Sequence, residues 1–346
     1  MSKYEMDMTQ GPILKKVILF SLPIMASSIL QLLFNAVDTA VIGQFAGDKP
    51  LAAVGATGSL VTLLTNLLLG VSIGSNVVLA NYYGAKREKE VSETVHTSIL
   101  LALIMGVMML LVGWFASYSL LELTAVPNRI RDMSALYMKI YFLGSPFMAV
   151  YNIVAANLRA IGDTKRPFVI LLLGGILNVG LNLLFVLGLG RDVDGVAVAT
   201  VISQAFSAIL VLIVLIKEKG QMHLDFRKLK INVKIMGKIL KLGIPSGVQG
   251  ALFSISNVMI QSSINGFGEL AIAGNTAADR ISDVSYTAMY SISAAAVNFT
   301  GQSMGAGKLE RIPKVAVTTC LTAASVGLFF ALISFFFGEP LIRIFT

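Results

Sequence analysis

Histidine, cysteine and charge are the scarce commodities of this chain. Its 346 residues include two histidines, His96 and His223, and one cysteine, Cys320. A single cysteine excludes a disulfide framework, and three scattered His/Cys ligands cannot assemble a metal cluster of the zinc type. Asp, Glu, Lys and Arg together make up 13% of the residues, against about 25% in a soluble globular domain. The start of the sequence also lacks the pattern of a cleavable signal peptide: it is polar and acidic (Tyr4, Glu5, Asp7) before Lys15-Lys16, and the first apolar run is full length.

What is there is apolar. Hydrophobic residues make up 55% of the chain, and the mean hydropathy is +0.79. These values describe an all-α polytopic membrane protein. About 20 residues are needed to cross a bilayer core, and nine runs qualify, near 17–45, 51–82, 94–120, 132–157, 167–189, 195–216, 242–266, 270–304 and 315–337. Nine transmembrane helices are therefore expected, with kinks at Pro23, Pro146 and Pro245.

The net charge of +8 is distributed as a membrane orientation signal, not as a nucleic-acid footprint. Twenty of the 27 Lys and Arg fall in the N-terminal tail and in the segments after the second, fourth, sixth and eighth runs. The positive-inside rule then puts the N-terminus in the cytoplasm. The basic stretch 217–241 is expected to be a solvated cytoplasmic linker with some attraction to lipid headgroups.

An internal repeat is visible across that linker. Phe20-Ser-Leu-Pro23 is echoed by Leu242-Gly-Ile-Pro245, Leu51-Ala-Ala-Val-Gly-Ala-Thr57 by Leu270-Ala-Ile-Ala-Gly-Asn-Thr276, and Gly84-Ala-Lys86 by Gly305-Ala-Gly-Lys308. Six helices per repeat is an even number, so both copies enter the membrane with the same orientation, as parallel repeats. The expected organisation is a six-helix lobe at 1–216, a linker at 217–241, and the first three helices of an incomplete second lobe at 242–346. On this reading the chain is a C-terminally truncated form of a twelve-helix protein.

Polar residues inside the runs are the functional candidates. In the first run Asp38 is the only charge between Val17 and Ala46, and Ser27, Gln31, Asn35 and Asp38 share one helical face. A charge at bilayer depth costs about 2.5–3.5 kcal/mol on insertion scales, so it should face a cavity or a partner. Desolvation favours the neutral form of such an acid, which suits a proton carrier. Asn178 and Asn182 are i, i+4 on one face of the fifth run. Asn152, Asn257, Gln261 and Asn275 are candidates for lining a cavity, although bonding between helices is the commoner role for such residues. In the eighth run Asp279 and Asp283 share a face, with Arg280 within reach of Asp283. That group is either internally neutralised or meets a cationic substrate. Lys139 is expected to snorkel to the interface, and Arg159, Asp163 and Lys165 to latch the fourth and fifth runs together.

Several of these segments together resemble the multidrug and toxic compound extrusion (MATE) transporters. They are the proline-bearing first run ending Asn35-Ala-Val-Asp38-Thr39, the segment Leu158-Arg-Ala-Ile-Gly-Asp-Thr-Lys-Arg-Pro167, Asn178-x-x-x-Asn182, Gly195-Val-Ala-Val-Ala-Thr200 and Gly305-Ala-Gly-Lys308. The resemblance implies two lobes around a central cavity and an antiporter in a bacterial cytoplasmic membrane. Such a protein exchanges small organic or cationic compounds for H⁺ or Na⁺, is not an enzyme, and needs no cofactor beyond the coupling ion.

Carried over residue by residue, the family's ion site falls on Asp38, Asn178, Asn182 and Thr200. Many members have an acid where this chain has Asn182, so one carboxylate remains and a proton becomes the better candidate than Na⁺. An acid that some members carry in the seventh helix is replaced by Phe253, and another, in the tenth, would lie beyond Thr346. The partners implied are a small-molecule substrate and membrane lipid, not nucleic acid, and nothing in the sequence assigns an oligomeric state. The competing readings are a lipid-linked-sugar flippase, disfavoured by the few intramembrane cations, and a membrane-embedded enzyme, for which the chain offers little nucleophile–base material.

Overall fold

A computed structural model describes residues 5–267 and 269–342, leaving out a few side chains in the last three helices, Arg280 among them. Ten long α-helices make up the described fold. They are α1 (Ile13–Val41), α2 (Asp48–Gly84), α3 (Glu88–Leu123), α4 (Asn128–Leu143), α5 (Ser145–Ala160), α6 (Lys165–Leu183), α7 (Val193–Lys217), α8 (Val233–Asn265), α9 (Glu269–Gly305) and α10 (Arg311–Ile342). Each of α1 and α6 ends in a five-residue π-helical turn, Ile42–Ala46 and Leu184–Gly188. The two turns pack together through Ile42 and Val186, with Val196 of α7 beside them.

Five helices with their extensions are long and apolar enough to cross a membrane singly: those beginning at Ile13, Asp48, Glu88, Lys165 and Val193. The helix Arg311–Gly338 is a sixth, and α4 and α5 together make a seventh if the bent pair is one span. The fourth apolar run is thus broken, with a bend of 48°. The cause lies in Gly144-Ser145-Pro146, where proline occupies the first turn of α5, the position in which its missing N–H costs nothing. Pro23 and Pro245, by contrast, lie inside continuous helices. α2, at 37 residues, is about 55 Å long, well beyond a hydrocarbon core of about 30 Å.

The basic stretch between α7 and α8 is not a solvated tether. Met222 and Leu224 are buried, and the segment docks on α3. His96, itself buried, sits within 2.7 Å of the Ser92 carbonyl through Nδ1 and accepts from the Asp225 backbone N–H at 3.2 Å through Nε2. Asn232 then caps α8, its Oδ1 accepting from the N–H groups of Lys234 and Ile235 at 3.1 and 3.3 Å. That cap starts the helix at Val233, nine residues before the apolar run begins. The latch at the loop before α6 also differs from the expected one. Arg166, not Arg159 or Lys165, joins Asp163 to Glu218 at the end of α7, and burial pushes the Asp163 carboxyl above its ordinary range against the pull of Arg166.

The two halves of the chain meet through their first helices: α2 lies along α8 and α9, and α1 lies along α9. Where α2 crosses α9, backbones touch. A Cβ on Gly84 would stand 2.1 Å from the Gln302 carbonyl oxygen, and one on Gly305 would stand 1.9 Å from the Asn81 carbonyl oxygen. Gly84 and Gly305 are 221 residues apart, as are Asn81 and Gln302, so the crossing has a local two-fold relation. Both helices end alike, in left-handed residues at Lys86 (φ 56°) and Gly307 (φ 70°), also 221 apart. Buried amides pin the crossing: Asn76 Nδ2 donates to Asn298 Oδ1 at 2.9 Å and to the Ala156 carbonyl at 2.6 Å.

The N-terminal segment straps the halves together at the same, basic end. Met6 N–H donates to the Ile161 carbonyl at 3.1 Å, and Met8 N–H to Gln302 Oε1 at 3.0 Å. Arg311 donates to the carbonyls of Met8, Gln10 and Gly11. Met8 is fully buried with Phe20 and Phe299, whose rings meet edge to face at 6.0 Å.

Candidate functional site

Two adjacent glycines bring the site together. The ring of Phe34 on α1 covers Gly175 of α6, where a Cβ would lie 1.7 Å from it, and Ser207 of α7 covers Gly174, with Oγ 2.2 Å from a Cβ there. Without side chains at 174 and 175, α6 lies hard against α1 on one side and α7 on the other. One turn beyond Phe34 on α1 is Asp38, and on α6 Asn178 and Asn182 follow the glycines at one and two turns. Thr200 is the contribution of α7.

These four form a hydrogen-bonded chain. Asn182 Nδ2 donates to Asp38 Oδ1 and, at 3.3 Å, to Asn178 Oδ1. Asn178 Nδ2 donates in turn to Thr200 Oγ1 at 3.5 Å, and Thr200 Oγ1 donates to the Val196 carbonyl of its own helix at 3.0 Å. Asn182 is fully buried and Asn178 nearly so, while Asp38 is half-buried. Both donors of Asn182 are used, and its Oδ1 is buried without a partner among the described residues. An orphaned amide oxygen beside a carboxylate is chemically incomplete, since buried polar atoms are ordinarily paired. The oxygen inventory of Asp38, Asn178, Asn182 and Thr200 fits a proton or a small hard cation.

Sequence reasoning passed over two tyrosines in the neighbourhood of this site. Tyr137 and Tyr141 on α4 stack at 6.0 Å, in the neighbourhood of Asp38. Tyr141 also neighbours Thr65 and Gln204. The i, i+4 spacing of two tyrosines inside an apolar run was the available signal.

The other candidates fall elsewhere. Gln31 and Asn35 are exposed on α1, on the approach to Asp38, and the Asn35 carbonyl accepts from Thr39 Oγ1 at 2.8 Å. Asn152 is spent on its own helix, donating to the Met148 carbonyl at 2.8 Å. On the second half, Asn257 is exposed on α8 and Gln261 half-buried. Asn275 donates to Asp279 at 2.8 Å within α9, and Asp283 stands half-buried one turn on. The side chain of Arg280 lies outside the described residues. Lys139 lies over the Trp114 ring at 6.0 Å from its centroid, a cation–π contact.

Long apolar helices, two halves joined through α1 and α2 of one and α8 and α9 of the other, and a polar chain buried between apolar neighbours define the class: an all-α, multi-pass membrane protein. The family follows from comparison. The MatE family model matches residues 23–184 and 245–346, and the chain belongs to that family. It is 29% identical over 304 residues to the probable multidrug resistance protein YoeA of Bacillus subtilis, with 86% of this chain and 66% of the relative covered. It is 28% identical over 341 residues to the probable multidrug resistance protein NorM of Thermotoga maritima, covering 96% and 72%. Its fold superimposes, at a TM-score of 0.91 and 24% identity, on the outward-facing conformation of a multidrug resistance MATE family transporter of the MOP superfamily, covering 98% of this chain and 75% of that one. The chain spans just under two-thirds of the Bacillus relative and about three-quarters of the other two.

Proposed function

We propose that this protein is a proton-coupled antiporter that exports small organic or cationic compounds across a bacterial cytoplasmic membrane, its basic end facing the cytoplasm. Asp38 carries the coupling proton. The names of its relatives support the substrate class; the single observation that supports the coupling is the partnerless Asn182 Oδ1 beside Asp38.

The chemistry runs through that amide. Ionised, Asp38 accepts a hydrogen bond from Asn182 Nδ2. Protonated, it becomes a donor and needs an acceptor in the same place. Rotation of the Asn182 amide supplies one, its orphaned oxygen, and withdraws the N–H from Asn178 Oδ1. Proton occupancy thereby alters the bonding between α1 and α6 without moving either backbone first. The site holds one carboxylate, which weakens it for a bare cation and suits a proton. Binding biases inward- against outward-open states only through differential affinity, and the α1–α6 contact is where that difference arises.

The test is uptake in proteoliposomes with imposed pH and Na⁺ gradients, comparing the wild type with Asp38→Asn. Uptake driven by the pH gradient in the wild type and absent in the variant is the expected result. Undiminished pH-driven uptake in Asp38→Asn overturns the assignment.

A further inference from the structure

The docked segment between α7 and α8 encloses a cleft of about 590 Å³ against the first turns of α3, within the usual range of ligand clefts. Lys89, Glu93 and His96 line it from one face of α3, and Lys228, Lys230 and Asn232 from the segment. Three ammonium groups face one carboxylate, and that carboxylate is already engaged, Glu93 Oε2 accepting from Asn232 Nδ2 at 2.7 Å. His96 is buried and held through both ring nitrogens, so the back wall is fixed. Lys228 reaches Asp225 at 3.6 Å with its side chain still 75% exposed. Among the described residues no carboxylate lies within ion-pair distance of Lys89 or Lys230. The cleft is preorganised, net positive and short of anions.

We infer that this cleft binds a phosphate-bearing anion, supplied by the headgroup of an anionic phospholipid. The choice of a lipid over a soluble phosphate rests on the surroundings. The cleft sits where α3 begins and the segment leads into α8, at the boundary of the membrane-spanning segments. Phe226 and Val233 stand 59% and 70% exposed on either side of Lys228 and Lys230. Exposed apolar side chains flanking lysines serve nothing for a free anion in water, but at headgroup depth they meet acyl chains while the ammonium groups meet phosphate. The inference is independent of the transport reading, since it requires only that the chain is membrane-embedded.

Amide hydrogen exchange of residues 222–235 tests it in nanodiscs of phosphatidylcholine with and without phosphatidylglycerol. Each lysine near an anionic headgroup is worth about fivefold in affinity. The phosphatidylglycerol discs should therefore slow exchange by at least about tenfold in the wild type. Lys89→Gln/Lys228→Gln/Lys230→Gln should lose that protection. Lys217→Gln/Lys219→Gln/Arg227→Gln, which removes the same charge outside the cleft, should keep it. Unchanged exchange in the core of α2 serves as the folding check for both. Equal loss in the two triple variants would reduce the effect to general surface attraction, and absence of lipid dependence in the wild type would remove it; either overturns the inference. So would equal protection by inorganic phosphate in phosphatidylcholine discs, which would make the ligand a soluble anion.

Discussion

Gly305→Ala should force α2 and α9 apart. The added Cβ would stand 1.9 Å from the Asn81 carbonyl oxygen and 2.8 Å from its carbon. Both are backbone atoms, so no rotamer change relieves the clash. An ordinary contact begins near 3.4 Å, so the helices must separate by roughly 1.5 Å at that point, the difference between the two distances, when overpacking is resolved by backbone shift. Overpacking of this kind costs about 1–3 kcal/mol. The shift also stretches the neighbouring Asn76–Asn298 hydrogen bond, worth about 0.5–1.5 kcal/mol.

A total near 2–4 kcal/mol corresponds to about 30- to 700-fold in the folding equilibrium. Thermal melting in one detergent measures it: Gly305→Ala should melt several degrees below the wild type. Gly84→Ala should do the same, since its Cβ meets the Gln302 carbonyl across the same crossing. The double variant should cost less than the sum of the two, because one separation relieves both clashes. Gly58→Ala, in the same helix with nothing within 4 Å, is the control and should gain about 0.5–1 kcal/mol. If Gly305→Ala melts with Gly58→Ala, the close crossing is wrong.

Three further outcomes are expected. Asn182→Asp supplies a second carboxylate beside Asp38, and uptake in proteoliposomes should respond more strongly to a Na⁺ gradient than that of the wild type. Lys86→Gly removes a side chain from a left-handed position (φ 56°); with αL strain of roughly 1–2 kcal/mol offset by the greater freedom of unfolded glycine, a net gain of about 0.5–1 kcal/mol should appear as a raised Tm. At Asp7, burial pushes the carboxyl upward but is outweighed by hydrogen bonds from Thr9 and the charges of Lys16 and Lys308, leaving it below the ordinary 3.8. Its contribution is therefore present above that value and lost as pH falls through the folded one. Proteolytic protection of the strap should fall in acid, and Asp7→Asn should flatten that dependence.

The apolar runs marked helices because about 20 uninterrupted apolar residues have few other uses, and eight of the nine runs fall, to within one residue, on single helices or helices with a π-turn extension. The fourth did not, since Gly144-Ser145-Pro146 reads equally as a kink or as a stop and start. Asn178 and Asn182 were legible as a pair because i, i+4 spacing is local. Their junction with Asp38 was not derivable from spacing and came through family resemblance. The structure adds the neighbours of Gly174 and Gly175, Ser207 of α7 and Phe34 of α1, and the tyrosines of α4, which tertiary packing brings into the neighbourhood of Asp38. The docked linker was misread for a related reason. His96 lies within an apolar run, and its partner Asp225 is 129 residues away, so composition alone reported only a basic, polar stretch.

The strap carries a consequence for biogenesis. Met8 pairs with Gln302 across 294 residues, and its carbonyl pairs with Arg311 across 303. Ribosomes add about 5–20 residues per second, so this segment waits roughly 15–60 s before the helices that seat it have been synthesised. Throughout that interval Met8 and Phe20 lack the cover that Phe299 and α10 later provide. The strap residues thus leave the ribosome long before they reach their final contacts, and closure of the basic end is a timestamp on the completion of α9 and α10.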